Sequence, residues 1–258
     1  GSEFYKLTES ERRQVVETAI RAAAGRVTVM AQSNHPSARG AADLAKQHGQ
    51  MGADLISFAI PRQFGVTDAD LLDYCQSICQ SVSLPVLIQD FNPGGPTVGG
   101  EFARKLSDRC ENFRYLKLEE PLMSAKVRAI REATDGRIGV LEGWGGMYLL
   151  DLIPAGICGL MPGLGPADLL QQIWKLGTSG QFDQALDLFQ VLLPQLVFSL
   201  QNMELFLCLE KKLLAARGVL PESSTHVRRP TWTPDAETLA YGMKLNARVV
   251  EACLKISS

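Results

Sequence analysis

Short apolar runs alternate along this chain with segments whose apolar residues recur every three or four positions. The runs Arg26–Gln32, Asp54–Ile60, Pro85–Phe91, Phe113–Glu119, Arg137–Glu142 and Gly156–Met161 have the length and character of strands. The segments between them have the period of helices packed on one face. Thr8-Glu9-Ser10-Glu11 and Thr67-Asp68-Ala69-Asp70 fit the capping box, in which a hydroxyl and a carboxylate satisfy free N–H groups of the first turn. Gly52-Ala53-Asp54 and Ala155-Gly156-Ile157 read as helix-to-strand turns that require glycine. Strands alternating with helices of this length predict βαβ units and a parallel sheet. After Pro166 the pattern turns wholly helical, over Ala167–Leu176, Phe182–Leu200, Met203–Arg217 and Asp235–Leu254.

Composition narrows the class. A chain of 258 residues with 46% hydrophobic content can bury one large core, and α/β barrels reach this length as single domains. Six strands are two short of a closed barrel of that kind. The formal charge of −2 offers no electrostatic footprint for nucleic acid or an anionic membrane. The longest apolar region, Val191 to Leu209, is interrupted by Pro194, Gln195, Gln201, Asn202 and Glu204, too polar for a membrane span. The six cysteines lack paired metal-ligand spacing, and Cys75 and Cys79 share a helical stripe with Leu71, Leu72, Ile78 and Val82 as core filler. A reducing, cytoplasmic setting is expected. No signal peptide is visible and no initial methionine is present.

Lys117 carries the candidate chemistry. It stands alone in Tyr115-Leu116-Lys117-Leu118-Glu119, where strand periodicity puts Tyr115, Lys117 and Glu119 on one face. A lysine in a dry pocket loses charge stabilisation, and its neutral amine can attack a carbonyl. The alternative is a lysine that reaches solvent or pairs with Glu119 or Glu120. Asp90, Glu119, Glu120 and Glu142 all fall at strand ends, where this fold class places chemistry. Each could serve as base or as structural ion pair. Glu142 is favoured because it leads into Gly143-Trp144-Gly145-Gly146, a glycine-rich turn suited to an anionic group or simply to tight geometry. The turn at Gly163 and Gly165 could line the same mouth or serve as a rigid connection. His35 could approach the pocket, whereas His48 and His226 read as surface groups. The pattern calls for no metal and no cofactor.

The order of these segments resembles the dihydrodipicolinate synthase / N-acetylneuraminate lyase family. Glu3-Phe4-Tyr5-Lys6-Leu7-Thr8-Glu9-Ser10-Glu11-Arg12 is similar to its Gly-Glu-Phe-x-x-Leu-Ser/Thr-x-x-Glu-Arg signature at the end of the second barrel strand. Gly52-Ala53-Asp54, Ile60-Pro61 and Leu84-Pro85-Val86 resemble landmarks of the fourth and fifth strands. Tyr115-Leu116-Lys117 resembles the family's Gly-Ile-Lys, whose lysine forms a Schiff base with pyruvate or a related 2-oxo acid. Gly156-Ile157-Cys158-Gly159 resembles the eighth strand.

The resemblance implies a TIM (β/α)8-type barrel with a helical C-terminal extension, here with six parallel strands. Residues 1–166 would form a partial barrel lacking the first two strands, and 167–258 the helical region. It implies a Schiff-base lyase, aldolase or dehydratase, acting on a small-molecule 2-oxo acid. Lys117, Asp90 and Glu142 would be catalytic, and Gln89, Glu119, Gly143, Trp144, Gly145 and Gly163 would bind substrate. Two departures stand out. Gln89 occupies the position of the family's proton-shuttling tyrosine and cannot act as acid or base near neutral pH. The paired threonines before the family's Gly-Glu are missing, with Gly1 and Ser2 in that region. These losses leave open a catalytically inactive barrel that binds a 2-oxo acid or sugar acid as sensor or scaffold. A phosphate-binding barrel ranks below both, for want of basic residues at the relevant loops. Apolar faces at Leu192, Leu193, Leu196, Val197 and Leu200, and at Leu205, Phe206, Leu209, Leu213 and Leu214, predict burial against the barrel and in a homodimer or tetramer.

Overall fold

The computed structural model describes residues 3–62 and 66–257. Gly1 and Ser2 lie outside the described residues. Six strands form one sheet among these residues: β1 (Met30–Gln32), β2 (Leu55–Ala59), β3 (Val86–Phe91), β4 (Phe113–Glu119), β5 (Gly139–Glu142) and β6 (Gly159–Leu160). Their spatial order is their chain order, and the pairs from β1 through β5 are parallel. Five helices accompany the strands: α1 (Glu9–Ala23), α2 (Ala38–Gln50), α3 (Asp68–Cys79), α4 (Gly100–Ser107) and α5 (Ser124–Ala133). A short α6 (Leu149–Leu152) precedes the tail, which is α7 (Ala167–Thr178), α8 (Phe182–Ser199), α9 (Met203–Ala216) and α10 (Ala236–Ser257).

The chain forms two compact units. One comprises Thr8–Gly143 with Ala155–Gly159 and holds α1 to α5 and nearly the whole sheet. Its strands are buried because α2, α4 and α5 pack on them, and Ile56, Phe58, Val86, Ile88, Leu116, Leu118 and Val140 are solvent-free. All seven share the helix-packed face, opposite to Lys117, and their burial is what makes the strands read as apolar runs. Both expected capping boxes are present. The Thr8 hydroxyl accepts from Glu11 N while the Glu11 carboxylate accepts from Thr8 N at 2.8 Å, and Thr67 and Asp70 repeat the arrangement. Cys75, Cys79 and Cys110 are buried, as core packing demands.

Two expectations are corrected in this unit. The first strand is shorter than the apolar run Arg26–Gln32. The chain leaves α1 through left-handed Ala24 and Gly25, Val27 is exposed, and pairing with β2 begins only at Met30. His48 is not a surface group. It is buried on α2, where its Nδ1 lies 2.9 Å from Ser33 Oγ, and burial beside Arg12 and Arg13 lowers its pKa.

The second unit contains the residues up to Leu7, Trp144–Pro154 and the chain from Leu160 onward. The tail helices fall within two residues or so of their expected ends. Leu192, Leu196, Leu205, Phe206, Leu209, Leu213 and Leu214 are buried where α8, α9 and α10 pack together, while Val197 stays exposed. Among the described residues no helix is long and apolar enough to cross a membrane.

The N-terminal turn is pinned onto α9. Glu204 accepts from Tyr5 Oη at 2.7 Å, Lys6 Nζ at 2.6 Å and Thr231 Oγ1 at 2.6 Å, and Glu3 pairs with Lys211. Hydrogen bonds from Lys6 and Thr231, joined by that from Tyr5, outweigh desolvation and hold the Glu204 carboxyl at about 2. A carboxyl depressed in the folded state contributes stability above its unfolded pKa, and that contribution fades as pH falls through the folded one. Glu204→Gln should therefore lose stability at neutral pH, and its denaturant midpoint should vary less than the unaltered protein's between pH of about 4.5 and about 2.

Candidate active site

The C-terminal ends of β1, β3 and β4 bring four polar side chains into one connected run. Residues paired across parallel strands share a face, so the register that matches Gln89 with Lys117 and Lys117 with Leu141 puts these three on one side. Lys117 is 6% exposed and its Nζ donates to Glu119 Oε1 at 2.7 Å. Of the alternatives to a nucleophilic lysine, the reach into solvent is not seen and the pairing with Glu119 is. Gln89 Nε2 donates to the same carboxylate oxygen. Behind it, Gln32 Nε2 donates to Gln89 Oε1 at 3.1 Å.

Strand β2 lies between the two glutamines. The residues it offers on this face are Ser57, opposite Gln32, and Ala59, opposite Gln89. Both are small, which leaves room for the two amides to meet across the strand. Gln32 went unnoticed in the sequence, although it closes an apolar run in the same way as Gln89 does. That shared position was the available signal.

Gly143 follows β5 and donates its N–H to Leu118 O at 3.0 Å. A Cβ built there would stand 2.5 Å from Glu119 Cγ, 2.9 Å from Leu118 O and 3.0 Å from Lys117 Cε. The glycine is thus demanded by close approach to the lysine and its partner. Gly143→Ala should lower unfolding stability by about 1–3 kcal/mol through overpacking, measured by denaturant titration.

Asp90 and Glu142 are placed otherwise than expected. Both pair in register with Leu118, so they share the face opposite to Lys117. Asp90 is solvent-free. It accepts from Arg62 Nε at 2.9 Å, Arg62 Nη2 at 2.6 Å and Val98 N at 2.7 Å. The structure does not bring it to Lys117; it clamps the loop after β3. Glu120 does the same from β4, accepting from Thr97 N at 2.7 Å and Thr97 Oγ1 at 2.9 Å and pairing with Lys126. Burial raises the Glu120 pKa, but these partners outweigh it and hold the carboxyl below its usual value. Glu142 is solvent-free at the end of β5. Since Arg62 would be left as an uncompensated cation, Asp90→Ala should cost about 3–5 kcal/mol of stability in denaturant unfolding.

The remaining expected site residues belong to the other compact unit. Trp144 is half-buried there and opens a turn in which Met147 N donates to its carbonyl. Gly145 has φ +70°, and a Cβ on it would meet Leu200 Cδ1 at 2.9 Å. Gly163 lies against the buried Glu210 carboxylate, 2.7 Å from where its Cβ would be. Glu210 in turn accepts from Gly165 N at 2.5 Å, and burial raises its pKa against that bond and one from Leu164 N. Both glycines therefore have a packing reason to be glycine. His35 is exposed, its ring bonded to the Ser37 backbone. Among the described residues no cluster of three or more histidine, cysteine or acidic groups could hold a metal.

A parallel sheet that carries a buried lysine at its strand ends, followed by a helical tail, has the architecture of a β/α-barrel enzyme. Comparison with known proteins makes the assignment specific. The chain belongs to the dihydrodipicolinate synthetase family, whose model matches residues 1–245. It is 27% identical over 256 residues to the L-2-keto-3-deoxyarabonate dehydratase of Azospirillum brasilense, covering 96% of this chain and 82% of that one. A protein of Escherichia coli K12 named "Probable 2-dehydro-3-deoxy-D-pentonate aldolase YjhH" is 35% identical over 118 residues, 45% of this chain and 39% of its own. The fold matches the 4-hydroxy-tetrahydrodipicolinate synthase of Methylacidiphilum fumariolicum SolV with TM-score 0.87 at 21% identity, over 99% of this chain and 84% of that one. The chain is accordingly an enzyme of this family.

Proposed function

We propose that this enzyme is a Schiff-base-forming lyase for a 2-oxo-3-deoxy sugar acid, with Lys117 as nucleophile and Glu119 as its proton partner. The observation that carries the reading is a buried lysine whose ammonium touches a single carboxylate at the end of a central strand. Dehydration is favoured over aldol cleavage by the near full-length similarity to the Azospirillum dehydratase.

Attack requires a neutral amine, and Glu119, 2.7 Å away, receives the proton. Nζ then adds to the C2 carbonyl, Glu119 returns the proton to the carbinolamine hydroxyl, and water leaves to give an iminium. The iminium acidifies C3, so Glu119 takes the C3 proton and an enamine forms. The C4–O bond breaks as the enamine electrons move inward, and the hydroxyl departs as water with the proton Glu119 holds. Hydrolysis of the unsaturated iminium frees Lys117 and the dehydrated 2-oxo acid. Asp90 and Glu142, on the opposite face, take no part in this scheme.

Incubation with pyruvate and borohydride, followed by peptide mass spectrometry, should give a reduced adduct on Lys117. Lys117→Ala should abolish it and lower turnover on the order of a thousandfold or more. A protein that binds 2-oxo acids tightly, yet gives neither adduct nor product, would instead be the inactive sensor suggested by the loss of the family tyrosine at Gln89.

A further inference from the structure

We infer that Gln89, held by Gln32, is a positioning residue that fixes Glu119 as the proton carrier of this site. The inference deepens the proposed function and rests on it. An amide has two ends of similar shape, and what bonds to one decides what the other offers. The carbonyl of Gln89 is occupied by Gln32 Nε2 at 3.1 Å. Its NH2 group therefore faces Glu119, and it donates to Oε1. That oxygen also receives Lys117 Nζ. Two donors converge on Oε1, while Oε2 has no hydrogen-bond partner among the described residues. Donors to a carboxylate oxygen lock its rotamer. Oε1 takes the lysine proton, and Oε2 is the oxygen left to exchange protons with the substrate.

The other groups on this face support that assignment. On this face β5 presents Leu141 opposite Lys117, β2 presents Ser57 and Ala59, and β1 presents Gln32. Apart from Lys117 itself, the titratable group that β4 adds to this face is Tyr115, two residues further toward the strand's other end. Where the family pattern has a phenol that exchanges protons, this chain has an amide that cannot. Proton traffic at that position is closed, and Gln89 acts on catalysis through Glu119.

The test compares the full chain with Gln89→Leu, Gln89→Asn and Gln32→Leu. Two quantities are followed with pyruvate as probe: the borohydride adduct on Lys117, and exchange of the methyl protons in D2O by NMR as a function of pH. Gln89→Leu should retain the adduct but exchange about ten- to a hundredfold more slowly. Gln32→Leu should slow exchange in the same direction by less. Gln89→Asn, one methylene too short to reach both partners, reports the same effect with an amide retained should the leucine variant not fold. Exchange within about twofold of the unaltered protein, with a superimposable pH profile, in variants that still form the adduct, overturns the inference. An unaltered protein that forms no adduct overturns the Lys117 reading instead, and this inference falls with it.

Discussion

A carboxylate removed from water must be matched by donors, and the ends of β3 and β4 place three of them within a few residues. Each has its own cation: Arg62 for Asp90, Lys117 for Glu119 and Lys126 for Glu120. The pairings separate by side of the sheet. Asp90 and Glu120 use theirs to tie down Val98 and Thr97, which fixes the loop that follows β3. Among the described residues Glu119 ties down no backbone, and its partners are the side chains of Lys117 and Gln89. Ion pairs that resemble one another in the sequence therefore divide into two that hold the loop after β3 and one whose partners are side chains.

Much of the fold was legible because the physics that writes it is local. The capping boxes at Thr8 and Thr67 need four consecutive positions to be recognised, and the tail helices need one face of apolar residues. The burial of Lys117 could be read because its neighbours Leu116 and Leu118 gave the strand a period. What escaped depended on partners distant in sequence. His48 lies on a helix face that looks polar until Ser33, fifteen positions earlier, is seen to meet its ring. Arg26 to Val29 reads as strand, but left-handed Ala24 and Gly25 delay the pairing.

The site was half legible for a related reason. Lys117, Glu119, Gln89 and Gly143, all expected near one another, lie together, whereas Asp90 sits one residue past Gln89 and so faces away. Strand parity alone contained that distinction. Gln32 was invisible for a different reason: an amide has no marked chemistry until its partner is known.

The two small residues of β2 deserve a last consequence. Ser57 and Ala59 lend no side-chain hydrogen bond to the amide run, yet the contact between Gln32 and Gln89 passes over them. A branched or aromatic residue at either place would fill the gap and part the glutamines without touching an acid, a base or a ligand. Small side chains on a strand that supplies none of these hydrogen bonds are thus what let Gln32 meet Gln89 and, through it, Glu119 beside Lys117. Steric permission, rather than charge, sets how far that run of side chains extends.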